Sequence, residues 1–189
     1  MPAQTIGIPP TVPQRVSLAI GNASKRTGVP FDYLMAQARV ESSLDPEAQA
    51  NSSSAAGLFQ FTKQTWLATL SQHGANHGLQ WAADAIRKGA DGQYRVVDPQ
   101  MREQILGLRF DPDVSSTMAA EFADDNADML RNRFGEEPEP VDLYLAHFLG
   151  AQGAAQFLSA WRADPNAPAA PLNPAAAAAN RTIFFNADG

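Results

Sequence analysis

Glu41 stands where the pattern of a predicted helix calls for an apolar side chain. The apolar residues of that helix recur at the spacing of a single face, namely Phe31, Leu34, Met35 and Ala38. Glu41 occupies the next position on the same face. The helix must end soon afterwards, because the residue before Pro46 is driven out of the α region. The spacing therefore predicts a carboxylate in the last turn of a mostly buried helix, beside a loop.

A carboxylate in such a position is suited to general acid catalysis. Burial disfavours the ionised form of a carboxyl group and raises its pKa. An acid that donates a proton near neutral pH needs a raised pKa of this kind. The same periodicity also fits an ordinary helix whose polar last turn is solvated. Helical spacing alone leaves both interpretations open.

Two short blocks give the glutamate a more specific context. The first is Glu-Ser-Ser-Leu-Asp-Pro over residues 41–46, and the second is Gly-Leu-Phe-Gln-Phe over residues 57–61, followed by Thr65. Together they resemble the signature of the soluble lytic transglycosylase (SLT) domain, glycoside hydrolase family 23, whose members are related to goose-type lysozyme. The spacing from the glutamate to the glutamine is one residue longer here than in the family pattern.

A third block extends the resemblance to roughly residues 15–163. Residues 144–150 read Tyr-Leu-Ala-His-Phe-Leu-Gly and are similar to the family's Ala-Tyr-Asn-Ala-Gly segment, in a variant found in some phage-encoded and specialised bacterial enzymes. His147 stands where most members carry tyrosine, and Tyr144 lies one helical turn earlier on the same face. The resemblance implies that one of them orients Glu41 and leaves open which. Alternatively, His147 is a core histidine with satisfied hydrogen bonds.

The resemblance also implies a reaction that needs only one carboxylate. Glycosidases usually place two carboxylates around the bond. In lytic transglycosylases a single glutamate protonates the glycosidic oxygen that leaves N-acetylmuramic acid, and then takes the proton of the C6 hydroxyl of the same sugar. That hydroxyl attacks the anomeric carbon and closes a 1,6-anhydro ring, with help from the sugar's N-acetyl group. Glu41 is the expected catalytic residue.

Four residues of the first two blocks are expected to bind or orient the substrate: Ser42, Gly57, Phe59 and Gln60. Ser42 is expected to hydrogen-bond Glu41, although a serine at a helix end is also unremarkable. Gln60 lies between two phenylalanines, and a polar group in an apolar run is buried only with partners. We expect it to donate to backbone or sugar amide groups in a cleft; the alternative is a solvent-facing side chain. Gly57 either lets the backbone approach the substrate or forms a turn.

Glu121 interrupts an apolar stretch and is a candidate second acidic contact in the cleft, or else part of a solvated helix face. His73 and His77 have the i, i+4 spacing of a helical metal pair, but Gly74 and Gly78 disfavour a helix there. No matching carboxylate pattern follows them. We therefore expect no metal ion and no cofactor.

Composition narrows the classes of function. The chain of 189 residues has no cysteine, which excludes disulfides and thiolate metal sites, and 44% of its residues are hydrophobic, as in an ordinary globular protein. Its net charge of -6 argues against nucleic-acid binding. No apolar run is long enough to span a membrane, and residues 1–10 lack the features of a signal peptide.

The expected partner is the glycan strand of peptidoglycan, and the expected location is the periplasm or cell envelope. Such a protein reaches the wall after trimming of a signal, by another export route, or by delivery from a phage. A flagellum, a secretion system or a phage tail is an equally suitable setting for local wall opening. We expect a monomer. Two other functions stay open: a hydrolytic muramidase that uses water, and a catalytically silent wall-binding or assembly module.

Helical periodicity covers most of the chain, which predicts an all-α, lysozyme-like domain with a cleft. We expect a flexible leader at residues 1–14, a catalytic domain at 15–163 and a Pro/Ala-rich tail at 164–189. The apolar residues 183–185 of the tail are suited to docking. In the poorly patterned insert, residues 71–99, we expect a short helix over residues 79–87 and a very short β element within 90–98.

Overall fold

The structure, a computed structural model, describes residues 11–186 of the chain. In that range ten α-helices and one two-stranded antiparallel sheet are present. The helices are α1 (Val12–Thr27), α2 (Phe31–Ser42), α3 (Lys63–His73), α4 (Gln80–Ala85), α5 (Pro99–Gly107), α6 (Pro112–Phe134), α7 (Pro140–Leu149), α8 (Ala151–Ala163), α9 (Pro174–Ala179) and α10 (Arg181–Phe184). The strands are β1 (Ile86–Lys88) and β2 (Tyr94–Val96). The predicted all-α class is confirmed.

The chain divides into two compact units, residues 1–122 and 123–189. Glu41 and the two blocks around it belong to the first unit, whereas Tyr144 and His147 belong to the second. The domain limits expected from the sequence, 15–163 and 164–189, stay predictions. None of the helices described between residues 11 and 186 is long and apolar enough to cross a membrane.

Local sequence signals account for the start of the first unit. The buried face of α1 carries Val16, Ala19, Ile20 and Ala23. The helix begins at Val12 with a capping box between Thr11 and Gln14, and it ends at Gly28, whose φ is 86°. Part of the expected flexible leader is therefore helical, and its remainder, residues 1–10, lies outside the described residues. Proline is tolerated in the first turn of a helix, which is where Pro13 lies.

Helix α2 follows at once and carries the glutamate. Its buried residues are Tyr33, Leu34, Gln37 and Ala38. Phe31 was expected on this face, but as the first residue of the helix it remains 37% exposed. The buried face is therefore centred one position away from the predicted stripe. Glu41 lies three residues after Ala38, at the edge of this face, and is half-buried.

The insert holds a short helix and the only sheet described in residues 11–186. The helix expected over residues 79–87 ends at Ala85, because Ile86 begins β1 and pairs with Val96 of β2. The predicted β element is confirmed as β2. Gln64 of α3 fixes this hairpin: its Nε2 donates to the Tyr94 carbonyl oxygen (3.0 Å), and its Oε1 accepts from the Tyr94 amide (2.9 Å).

Helices α3 and α5 are joined at the centre of the first unit by a tryptophan. The fully buried Trp66 donates its indole N–H to the carbonyl oxygen of Ile105 over 2.8 Å. Both helices begin with a side-chain cap. Thr62 accepts from the Thr65 amide at the start of α3, and Asp98 accepts from the Met101 amide at the start of α5.

The second unit is a helix pair with a helical tail. Its core contains Leu130, Ala146, Ala154, Ala155 and Leu158. The three alanines leave room for α7 and α8 to pack closely. The tail is partly helical, as expected. Of its apolar residues, Phe184 and Phe185 are half-buried, whereas Ile183 is exposed.

The two hydrogen bonds of Gln64 predict a local effect of substitution. In Gln64→Ala we expect faster amide hydrogen exchange in β1 and β2, with a loss of about 0.5–1.5 kcal/mol of unfolding free energy because each net hydrogen bond is weak. Gln64→Glu is the matched control, because it keeps the acceptor for the Tyr94 amide and should show an intermediate effect. Unchanged exchange in the hairpin of Gln64→Ala would show that the contact does not hold it.

Candidate active site

The end of α2 places Glu41 beside a loop, as the sequence predicts. Glu41 is the last residue but one of the helix. Two left-handed residues stop the helix, Ser43 (φ 56°) and Leu44 (φ 66°). Their amides donate back to the carbonyl oxygens of Arg39 (3.0 Å) and Ala38 (3.3 Å). The stop therefore comes from this left-handed pair, before Pro46 is reached.

Backbone strain in the described residues is concentrated in the two sequence blocks. Three non-glycine residues between positions 11 and 186 have positive φ, and they are Ser43, Leu44 and Gln60 (φ 48°). A left-handed conformation costs about 1–2 kcal/mol for a residue with a Cβ. Such strain persists only where the surroundings enforce it, and it clusters at functional sites. Both sides of the candidate site are strained in this way.

Ser42 links the end of the helix to the second block. Its hydroxyl lies 2.8 Å from the carbonyl oxygen of Leu58 and 3.0 Å from that of Ala38. Because a hydroxyl has a single proton, these two acceptors share or exchange it. The bond to Leu58 holds the last turn of α2, and with it Glu41, against the Gly57–Phe61 loop. The expected direct hydrogen bond between Ser42 and Glu41 stays a prediction.

Gln60 holds its own loop together. Its side-chain nitrogen donates to the carbonyl oxygens of Gly57 (2.9 Å) and Ala48 (3.2 Å), and its backbone amide also donates to Gly57 (3.1 Å). The Gly57 amide in turn donates to Ala48 (2.8 Å). Donation to backbone groups was expected of Gln60. The side chain is half-buried, and its contact with a sugar stays a prediction.

The role expected of Phe59 is corrected by its burial. Its side chain is fully buried, as is that of Leu58, so it has no surface that a saccharide could touch. Phe61 is also buried and packs edge-on against Trp66, with ring centroids 5.2 Å apart. Leu58, Phe59 and Phe61 lie on either side of the polar Gln60 in the sequence, and their burial anchors the loop in the core. Phe59 therefore supports the loop from the core, and the structure offers no exposed face of its ring for the expected role.

Position 57 requires a glycine because its backbone packs against that of Arg109. Its φ of 79° is left-handed, and a Cβ added to it would overlap the carbonyl oxygen of Arg109 and lie 2.8 Å from its carbonyl carbon. The short 3-10 turn Leu108–Phe110 packs directly onto the loop as a result. Of the two roles expected of Gly57, the turn is formed, because the Gln60 amide donates to its carbonyl oxygen. Close approach of its backbone to a substrate stays a prediction.

Arg109 was not anticipated from the sequence. It is buried, and its guanidinium donates to three carbonyl oxygens: Nη1 to Ser54 (2.8 Å) and Phe61 (3.1 Å), and Nε to Leu106 (3.0 Å). Burial lowers the pKa of the Arg109 guanidinium from its ordinary value, yet an arginine remains protonated. The only signal in the sequence is a cation inside the apolar run of residues 105–110.

Glu121 bridges two histidines. Its Oε2 lies 3.0 Å from Nδ1 of His73, and its Oε1 lies 2.6 Å from Nε2 of His77. A hydrogen bond to an ionised carboxylate at these two atoms requires the tautomers with a proton on Nδ1 of His73 and on Nε2 of His77. The Glu121 side chain is 17% exposed, so the solvated-face alternative is wrong. Its contact with substrate stays a prediction. No group of three or more His, Cys, Asp or Glu in residues 11–186 is arranged to hold a metal ion.

Two further candidates lie on α7. Tyr144 is partly exposed and His147 is half-buried, and their ring centroids are 6.4 Å apart, as expected for residues one turn apart on a helix face. They belong to the second unit, and Glu41 belongs to the first. Which of the two orients Glu41, or whether His147 is only a core residue, stays open.

The packing of Gly57 predicts a large effect of one methyl group. Gly57→Ala combines a left-handed φ with overlap of the Arg109 backbone, and should lower the free energy of unfolding by about 2–5 kcal/mol. Gly107→Ala is the matched control, because a Cβ there meets nothing within 4 Å. It should leave stability unchanged or raise it by up to about 1 kcal/mol. Equal melting temperatures for the two variants in thermal denaturation would contradict this account of the loop.

One comparison with known proteins bears on this site. The family model described as the transglycosylase SLT domain matches residues 19–90. The matched segment includes Glu41, Ser42, the Gly57–Phe61 loop and the histidines that contact Glu121; it does not include the third block, so the specialised variant stays a prediction. The all-α architecture agrees with the lysozyme-like fold of such domains. Residues 19–90 of this protein thus match the transglycosylase SLT domain family, which the two sequence blocks resemble.

Proposed function

We propose that this protein is a peptidoglycan lytic transglycosylase that cleaves the β-1,4 bond between N-acetylmuramic acid and N-acetylglucosamine and forms 1,6-anhydro-N-acetylmuramic acid. The SLT match supports lytic transglycosylase activity on peptidoglycan in general. The observation that carries the finer proposal is the position of Glu41. It lies in the last turn of α2, which Ser42 holds against the strained Gly57–Phe61 loop.

Glu41 acts first as a general acid in this proposal. Its carboxyl proton goes to the glycosidic oxygen, which leaves with N-acetylglucosamine, while positive charge develops at the anomeric carbon of the muramic acid. The resulting carboxylate then takes the proton of the C6 hydroxyl as that oxygen bonds to the anomeric carbon. Glu41 is protonated again at the end. The C6 hydroxyl is tethered to the reacting ring, so its attack avoids the entropy cost of ordering a water molecule.

The engagement of two other carboxylates supports a single-carboxylate route. Asp45 is exposed, and its Oδ1 accepts from the Glu47 amide over 2.9 Å, which makes it a turn cap. Glu121 is held by two histidines. A hydrolase needs a second carboxylate about 5–9.5 Å from the acid, to attack the sugar or to activate water. The two carboxylates that the sequence offers for that role already have other partners.

The proposal also assigns a substrate contact to Gln60 and a cellular setting to the protein. Gln60 faces a sugar amide with the oxygen of its side chain, since its nitrogen donates to the loop. The protein acts as a monomer in the periplasm or cell envelope, or on a wall reached by a phage, and it opens the wall locally for a flagellar, secretion or phage-tail assembly.

Removal of the acid should abolish lysis without unfolding the protein. We expect Glu41→Gln to lose about 10²- to 10⁴-fold or more of the rate, because one group serves both proton transfers. Activity is measured as the loss of turbidity of purified sacculi, and folding by circular dichroism. Glu47→Gln, an exposed glutamate six residues further along, is the matched control and should remain active. A folded and active Glu41→Gln variant would remove Glu41 from the mechanism; a folded and inactive wild type would favour a silent binding module.

The product distinguishes a transglycosylase from a hydrolase. We expect mass spectrometry of digested sacculi to show muropeptides that end in 1,6-anhydro-N-acetylmuramic acid, each lighter by one water than the hydrolytic product. Anhydro ends have no reducing group and do not react with borohydride. A parallel digest with a hydrolytic muramidase provides the reducing products for comparison. Reducing ends as the main products would overturn the proposal and assign a catalytic role to Glu121 or Asp45.

A further inference from the structure

The second unit has a groove of about 390 Å³ between α7, α8 and the turn that precedes α7. Its apolar lining consists of Val141, Leu145, Phe157, Leu158 and Trp161. We call it the α7–α8 groove. Val141 is 58% exposed and Trp161 is 52% exposed. Large apolar side chains that share an exposed concave surface are typical of protein interaction sites, and tryptophan is among the residues that contribute most to binding.

The rim of this groove is acidic. Four carboxylates line it, from Glu136, Glu137, Glu139 and Asp142, against one guanidinium, from Arg162. Arg162 pairs with Glu136 and lies over the ring of Phe134, 4.2 Å from its centroid, so its charge is already compensated.

The other carboxylates have different partners. Glu137 pairs with Arg131 from outside the groove (2.6 Å). Glu139 and Asp142 form the capping box of α7, and in the described part of the chain neither is paired with a lysine or arginine. The helix N-terminus offsets part of their charge. A ligand that binds the apolar lining of the groove therefore lies beside a negatively charged rim.

The tail of the chain lines a second groove on the same helix pair. This groove of about 290 Å³ shares Leu145 and Phe157 with the first, and it is lined on its far side by Ile183 and Phe184 of α10. A short helical turn with bulky apolar residues thus lines a groove together with the same two side chains. The α10 segment also carries a cation, since Arg181 begins it.

We infer that the α7–α8 groove binds a short amphipathic helix of a partner protein, with bulky apolar residues on the face that enters the groove and lysine or arginine beside them. The apolar lining and Trp161 accept the apolar face, as in other helix-in-groove contacts. The acidic rim attracts the cations and selects against acidic segments. This inference does not depend on the proposed catalytic activity.

The test uses three synthetic peptides and the full chain. The first is a helical peptide of leucine, phenylalanine, alanine and lysine, with leucine and phenylalanine on one face. The second has glutamate at every lysine position, and the third is the first in scrambled order. Isothermal titration calorimetry should show saturable binding of the first peptide, at least about tenfold tighter than that of either other peptide. Absence of saturable binding, or equal binding of all three peptides, would overturn the inference.

Variants assign the binding to the groove. Trp161→Ala should weaken binding of the lysine peptide by about tenfold or more, whereas Trp81→Ala, at an exposed tryptophan of the first unit, should not. Val141→Ser gives a second substitution in the groove in case the Trp161→Ala variant does not fold.

The double variant Glu139→Gln with Asp142→Asn tests the acidic rim. It keeps the capping oxygens of α7 and should reduce the preference for the lysine peptide over the glutamate peptide. Equal effects of Trp161→Ala and Trp81→Ala would refute the site. Self-association of the wild type that Trp161→Ala abolishes would assign the groove to a second copy instead.

Discussion

The buried guanidinium of Arg109 is the contact on which the geometry of the candidate active site depends. The loop from residue 51 to residue 61 forms only isolated β-bridges, so its carbonyl groups need partners from elsewhere. Arg109 supplies donors to two of them, Ser54 and Phe61, while its own backbone packs against Gly57. No carboxylate takes part in these bonds. Arg109 therefore gives the loop a charged donor without bringing in an anion that could replace Glu41 as the acid of the site. A buried charge is tolerated here because carbonyl dipoles solvate it.

On both sides of the site, hydrogen bonds hold the residues whose backbone is left-handed. The end of α2 is held by Ser42 and by amides that return to Ala38 and Arg39, and the opposing loop is held by Gln60 and Arg109. Each side therefore has enough hydrogen bonds to enforce left-handed residues that would otherwise relax. In the proposed mechanism the Glu41 carboxylate faces two different atoms of a sugar in successive steps, and a rigid frame of this kind would favour that role.

Local signals in the sequence predicted the position of Glu41 in the last turn of α2, and other local signals explain further helix ends. Gly28, Thr62 and Asp98 act on amides or φ angles within a few residues, so their effects can be deduced without the fold. Contacts between distant residues could not be deduced. Arg109 reaches residues 48 and 55 positions away, and Glu121 meets histidines 44 and 48 positions away. The burial of Phe59 was also missed, because an aromatic residue beside a polar one fits a cleft wall as well as a core.

Gln64 has a consequence for solubility as well as for the position of the hairpin. A two-stranded sheet has outer edges, and an edge with unpaired amide and carbonyl groups is a template for pairing with another chain. The side-chain amide of Gln64 imitates a peptide group and satisfies both backbone groups of Tyr94. It therefore acts as a one-residue third strand that covers the beginning of the β2 edge. The insert thus presents a sheet in which β2 is protected from edge-to-edge aggregation at Tyr94.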